Sequence, residues 1–176
     1  MPQVADAGRI REVLRGLAGA VKTPANVFLS GGATAVLLGW RSTSVDVDLT
    51  FLPDQDGIHR VLRDLKQRLD VNIELASPTD VIPVPPGWDE RGIFEVQNDP
   101  LTFYHFDPYA QALARLERGR PQDTDDVQEM VQRKIIVGAK ALEYFRQIEP
   151  LLYRFPAIHE PSFRQSVETF FRAGST

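Results

Sequence analysis

Residues 27–51 read VFLSGGATAVLLGWRSTSVDVDLTF, and the order of patterns within them decides the fold. Asn26–Ser30 is a short apolar strand, broken by the pair Gly31-Gly32. The run ATAVLLGW that follows has helical character and is closed by Gly39. Residues 45–52, VDVDLTFL, then alternate apolar and polar with the period of two expected of a strand. A glycine pair between strand and helix leaves backbone N–H groups facing outward, as anion sites require. The absence of side chains lets a phosphate approach the chain closely. Asp46 and Asp48 are two residues apart and therefore share one face, with Val45, Val47 and Leu49 expected on the core side. Two adjacent carboxylates repel, and a divalent cation relieves that repulsion. Mg²⁺ favours carboxylate oxygens, waters and substrate phosphates. The stretch reads as a metal–triphosphate site of the phosphoryl-transfer type.

Working outward, Ile10, Val13, Leu14, Leu17 and Val21 mark a helix over about residues 7–20, ended by Thr23-Pro24. A second helix is expected over 56–69, capped by Asp54 or Asp56. VNIELA at 71–76 is a further strand, on which Glu74 faces away from the core. The proline-rich stretch 77–91 is either a lid or a rigid connection. GIFEVQ and LTFYHF form a hairpin around Asn98-Asp99-Pro100. From Asp107 the pattern is helical, over about 108–118, 123–135, 139–149 and 161–172. The expected class is α+β: a mixed sheet flanked by helices over 1–106, then a C-terminal helical region over 107–176.

Composition narrows the function. The 176 residues contain no cysteine, which excludes disulfides, thiolate metal sites and a thiol nucleophile. His59, His105 and His159 are too scattered to suggest an all-histidine centre, and His105 within FYHF reads as a packed, hydrogen-bonded core residue. No leader pattern or membrane-length apolar run is seen, so a cytoplasmic protein without membrane association is expected. The net charge of −4 argues against non-specific coating of nucleic acid. The excess is local: residues 53–106 hold ten acidic side chains against five basic, whereas 107–176 hold ten of each. An RNA partner would have to use arginines of that last segment.

The combination of Gly31, Gly32, Arg41, Thr43, Ser44, Asp46 and Asp48 resembles the nucleotidyltransferase superfamily related to DNA polymerase β. The form RSTSVDVDL is similar to toxin nucleotidyltransferases of the AbiEii and MenT type and to their DUF6036 relatives. The stretches VNIELASPTDVIPVPPGW and YHFDPYAQALARLERGRPQDTDDV resemble the DUF6036 group, so the similarity spans about residues 26–135. It implies a minimal nucleotidyltransferase-type sheet that transfers NMP from an NTP to an acceptor hydroxyl. It also implies Mg²⁺ (or Mn²⁺) held by Asp46, Asp48 and Glu74, with Glu74 orienting or deprotonating the acceptor. Ser30, Gly31, Gly32, Arg41 and Ser44 would contact the triphosphate. In the helical part, Arg115 stands where these relatives carry lysine, Arg118 matches their arginine, Gln122 replaces a second lysine, and Asp123 and Asp126 match their acids. The alternative for this group is structural: Asp107 and Asp123 as helix caps, with Arg115 and Arg118 as their partners. The acceptor implied by the toxin resemblance is a tRNA 3′ end, with a cognate antitoxin as protein partner. The remaining alternatives are a protein or small-molecule acceptor, or an inactive binding or regulatory module on the same fold.

Overall fold

The computed structural model describes residues 2–173. Its contacts divide the chain into two compact units, Met1–Ser77 with Gly92–Phe106, and Pro78–Arg91 with Asp107–Thr176. The class is α+β, with a five-stranded mixed sheet and flanking helices.

The first unit contains α1 (Ala7–Ala20), β1 (Ala25–Ser30), α2 (Gly32–Leu38), β2 (Asp46–Leu52), α3 (Ile58–Leu69), β3 (Asn72–Leu75), β4 (Ile93–Asn98) and β5 (Leu101–His105). The sheet order is β3-β2-β1-β5-β4. β1 pairs antiparallel with β2 and parallel with β5. β2 and β3 are parallel, which requires a crossover, and α3 supplies it. β4 and β5 form the expected antiparallel hairpin.

One sheet face carries Val27, Leu29, Val47, Leu49, Phe51, Ile73, Leu101 and Phe103, all buried. Against it pack Ile10, Val13, Leu14 and Leu17 of α1, Ala33 and Val36 of α2, and Ile58, Leu62 and Leu65 of α3. Burial of this apolar surface is the main stabilising term of the unit. Two local expectations are corrected. Val45 lies just before β2 begins and is 69% exposed, because Ser44 is tied to Ala5 by an isolated bridge and the ladder starts only at Asp46. Neither Asp54 nor Asp56 caps α3; its N-cap is Gly57 in the left-handed conformation.

The second unit contains α4 (Pro108–Arg118), α5 (Pro121–Gln132), α6 (Gly138–Ile148) and α7 (Glu160–Ala173). Its core joins Leu113 and Leu116, Val127 and Met130, Phe145 and Ile148, and Phe163, Val167 and Phe171. Phe145 meets Phe163 edge to face at 5.0 Å.

Residues 78–91 group with these helices, and Arg91 shows how they are held. Its Nη1 donates to the Pro86 carbonyl at 2.7 Å and its Nη2 to the Pro85 carbonyl at 3.0 Å. Nε and Nη2 donate to Asp107 Oδ2 at 3.0 and 2.7 Å, and the guanidinium lies 4.5 Å from the centre of the Tyr144 ring. Asp107 also caps α4 by accepting from the Tyr109 N–H at 2.9 Å. One planar fork therefore ties the proline stretch, the start of α4 and α6 together, which a lysine could not do. The Arg91 contacts fasten this stretch to the helical unit. Burial pushes the Asp107 carboxyl above its ordinary range, against the pull of Arg91.

Arg91→Ala is expected to cost about 3 kcal/mol at neutral pH, because it leaves a buried carboxylate without its cation. A carboxyl with a raised folded pKa favours folding at low pH and loses that contribution as pH rises through the folded value. The deficit of the variant should therefore shrink as pH falls from 7 to 4. Urea denaturation of both proteins across that range checks both the size and the sign.

Candidate functional site

The second face of the sheet carries the polar residues. β1, β2 and β3 are aligned so that Ser30 stands opposite Asp48, and Asp48 opposite Glu74. Asp46 stands opposite Asn72 in the same ladder. Alternation then puts Asp46, Asp48, Asn72 and Glu74 on one face, with Val47, Leu49 and Ile73 in the core. One carboxylate oxygen from each of Asp46, Asp48 and Glu74 lies within 4.8 Å of the others. Asp46 and Asp48 are half-buried and Glu74 is exposed, so the cluster is sheltered at one end and open at the other.

Asn72 was not singled out by the sequence, yet it organises this cluster. Its side-chain amide donates to Asp46 Oδ1 at 2.5 Å and to Glu74 Oε1 at 2.8 Å. It stands two residues before Glu74 and so shares its face; that spacing was the available signal.

The glycine pair closes the other side. Gly31 has φ +66°, and a Cβ there would come within 2.9 Å of Asp48 Oδ2. At Gly32 a Cβ would overlap Ser44 Oγ and come within 3.3 Å of an Arg41 guanidinium nitrogen. Gly31 thus sits against the Asp48 carboxylate, and Gly32 against Ser44 and Arg41. Ser44 is buried and donates from Oγ to the Asp46 carbonyl at 2.7 Å, which fixes the entry to β2. Ser30 is buried at the end of β1 beside Asp48. The structure therefore brings together Ser30, Gly31, Gly32, Arg41, Ser44, Asp46, Asp48 and Glu74.

The helical residues form a group of their own within the second unit. Arg118 makes a two-pronged pair with Asp123, from Nε at 2.8 Å and from Nη2 at 2.5 Å. Asp123 also accepts from the Arg120 N–H at 3.1 Å, so it acts in the first turn of α5 rather than as its N-cap. Burial pushes the Asp123 carboxyl up, but Arg118 and the Arg120 N–H together hold it below the ordinary range. Arg115 is buried and donates to Asp126 Oδ2 at 3.3 Å and to Gln111 Oε1 at 3.1 Å. The partner of Asp107 is Arg91, not Arg115 or Arg118. Arg118 keeps about half of its side chain exposed.

His105 points into the core face, where Nδ1 meets Thr34 Oγ1 at 3.0 Å and Nε2 meets Glu95 Oε1 at 2.9 Å. Burial pushes its pKa down, against the pull of Glu95. It is a packed histidine on the face opposite the carboxylates.

Comparison with family models matches residues 9–147 to a family described as "Nucleotidyltransferase of unknown function (DUF6036)". The chain belongs to this nucleotidyltransferase family. Comparisons with curated proteins and with solved structures gave no match. Family membership makes nucleotidyl transfer the general activity and a nucleoside triphosphate the general substrate. Among the described residues, no helix is long and apolar enough to cross a membrane. The three-carboxylate donor set of this nucleotidyltransferase consists of hard oxygens, and the glycine pair leaves space beside it, so the residues fit a hard divalent cation.

Asn72→Ala should release Asp46 and Glu74 from their shared donor and weaken Mn²⁺ binding about ten-fold or more, the usual effect of removing an orienting partner of metal ligands. Titration of Mn²⁺ by electron paramagnetic resonance measures this directly. Unchanged affinity would mean that the carboxylates hold their positions without Asn72.

Proposed function

We propose that this nucleotidyltransferase transfers a nucleoside monophosphate from a nucleoside triphosphate to an acceptor hydroxyl in a reaction dependent on Mg²⁺ or Mn²⁺. The observation that carries the reading is the convergence of Asp46, Asp48 and Glu74 on one point of the sheet face. When bound there, the divalent cation neutralises phosphate charge and makes the acceptor hydroxyl easier to deprotonate.

The chain's own residues do the rest. Asp46 and Asp48 would hold the cation, with Glu74 as the third carboxylate. Glu74, the exposed member, orients the acceptor hydroxyl and takes its proton. Gly31 and Gly32 let the triphosphate approach the backbone, with Arg41 beside them to balance its charge. Ser30 completes the wall as a hydroxyl donor, and Ser44 holds the entry to β2 through its bond to the Asp46 carbonyl. The acceptor oxygen forms a bond to the α-phosphorus, the bond from that phosphorus to the bridging oxygen breaks, and pyrophosphate leaves. The helical residues stay within their own unit, where Arg118 pairs with Asp123 and keeps about half of its side chain exposed. Arg115 and Asp123 serve through their ion pairs with Asp126 and Arg118.

We infer the acceptor from the likeness of RSTSVDVDL to toxin nucleotidyltransferases: a tRNA 3′ end, with an antitoxin as protein partner. Radiolabelled nucleotide incubated with tRNA and, separately, with total protein distinguishes that acceptor from a protein hydroxyl.

Asp46→Asn and Asp48→Asn should each lower label transfer about a thousand-fold, the scale of losing a charge-stabilising group in phosphoryl transfer. Circular dichroism and thermal stability should be unchanged or improved, since each substitution removes carboxylate repulsion. Wild-type transfer rates in either variant would overturn the reading.

A further inference from the structure

A second feature of the carboxylate face is aromatic. Phe28 of β1 stands opposite Tyr104 of β5, and Tyr104 opposite Phe94 of β4. Phe28 and Tyr104 are stacked at 5.6 Å, and Phe94 meets Tyr104 edge to face at 6.0 Å. Phe28 shares its face with Ser30, two residues on, and hence with Asp48. The aromatic row and the carboxylates therefore lie on the same side of the sheet.

The row ends in a ring that burial does not explain. Phe94 is 59% exposed, and Tyr104 beside it is half-buried. A regular strand would put Phe94 and Val96 on one face. The register shifts between them, with Glu95 as the extra residue, so Phe94 goes to the carboxylate face while Val96 packs against the core. Glu95 in turn is held by His105, and His105 by Thr34. A bulge of this kind re-aims a side chain. Here it places an apolar ring in solvent on the same sheet face as the polar site.

We propose that Phe94 and Tyr104 form the surface on which the base of the bound nucleoside triphosphate stacks; this rests on the nucleotidyl-transfer reading above. Tyr104 is two strands and two residues away from Asp48, about 12 Å across the sheet, and Phe94 one strand further, about 16 Å. One nucleotide bridges that span from its phosphates to its base. Neither β4 (IFEVQN) nor β5 (LTFYH) carries an arginine or lysine that would follow the backbone of a polynucleotide strand. Stacking on an aromatic ring is available to every base, so the surface would contribute affinity with little base selectivity.

The test measures binding of ATP, inorganic tripolyphosphate and an unstructured RNA hexanucleotide, each with Mg²⁺, by calorimetry. The proteins are wild type, Phe94→Ala and Phe94→Trp; the exposure of Phe94 makes both variants compatible with folding. The expected result is that Phe94→Ala weakens ATP binding about ten-fold, leaves tripolyphosphate binding unchanged, and that Phe94→Trp restores ATP binding. Equal ATP affinity in wild type and Phe94→Ala overturns the stacking surface and leaves the transfer reading standing. A loss confined to the hexanucleotide also overturns it, and assigns the ring to an RNA strand. Failure of wild type to bind either tripolyphosphate or ATP would sink the transfer reading itself.

Discussion

Three carboxylates within 4.8 Å of one another on a sheet face are an electrostatic liability, and much of the first unit is arranged around holding them there. The register does most of this. With β1 antiparallel to β2 and β2 parallel to β3, Ser30, Asp48 and Glu74 fall in one row, and Asp46 and Asn72 in the adjacent positions. A one-residue slip in either pairing would send a carboxylate into the core and an apolar side chain into water. The buried partners Val47, Leu49 and Ile73 on the other face make that slip costly. Hydrophobic burial on one side of the sheet thus fixes charge positions on the other. Asn72 adds a donor between Asp46 and Glu74, which spreads the repulsion without a cation.

The same division of faces explains the histidine and the bulge. His105, adjacent to Tyr104, must point the opposite way, into the core. A buried imidazole needs partners for both nitrogens, and it has Thr34 and Glu95. Glu95 reaches it from the bulged part of the strand. The polar chain Thr34–His105–Glu95 therefore links α2, β5 and β4 beneath the sheet. Above the sheet, the same irregularity places Phe94 in the aromatic row. One extra residue serves both faces.

Much of this was legible in the sequence. The alternation in VDVDLTFL and VNIELA was enough to place Asp46, Asp48 and Glu74 on one face, and the glycine pair marked the turn beside them. The α+β order and the hairpin at Asn98-Asp99-Pro100 also followed from local pattern. The rest depended on pairings that no local pattern records. Val45 continues the alternation yet is exposed, because the bridge from Ser44 to Ala5 decides where the ladder starts. Asn72 has the right spacing, but its role exists only because β3 lies beside β2. Phe94 reads as one more apolar strand residue until the shift in register turns it outward. Asp54 and Asp56 satisfy the capping preference, but a left-handed glycine took the position.

The arginines of the helical unit show how a resemblance and a structure weigh differently on one residue. At position 115 the chain has arginine, and that residue type decides what the side chain can do. A lysine in the same place would be a single flexible charge. The arginine fork is buried and bridges Gln111 on its own helix and Asp126 on the next, which joins α4 to α5. Arg118 similarly closes on Asp123 with two bonds, and the Asp123 carboxyl stays charged to lower pH as a result. The acids of this element are neutralised by arginine rather than left open as a second cation site. The contrast with Asp46, Asp48 and Glu74 is one of construction: the helical acids close on arginines of their own unit, whereas Asp46 and Glu74 share the Asn72 amide. The strand cluster is therefore the group whose three carboxylate oxygens converge closely enough to hold a metal ion.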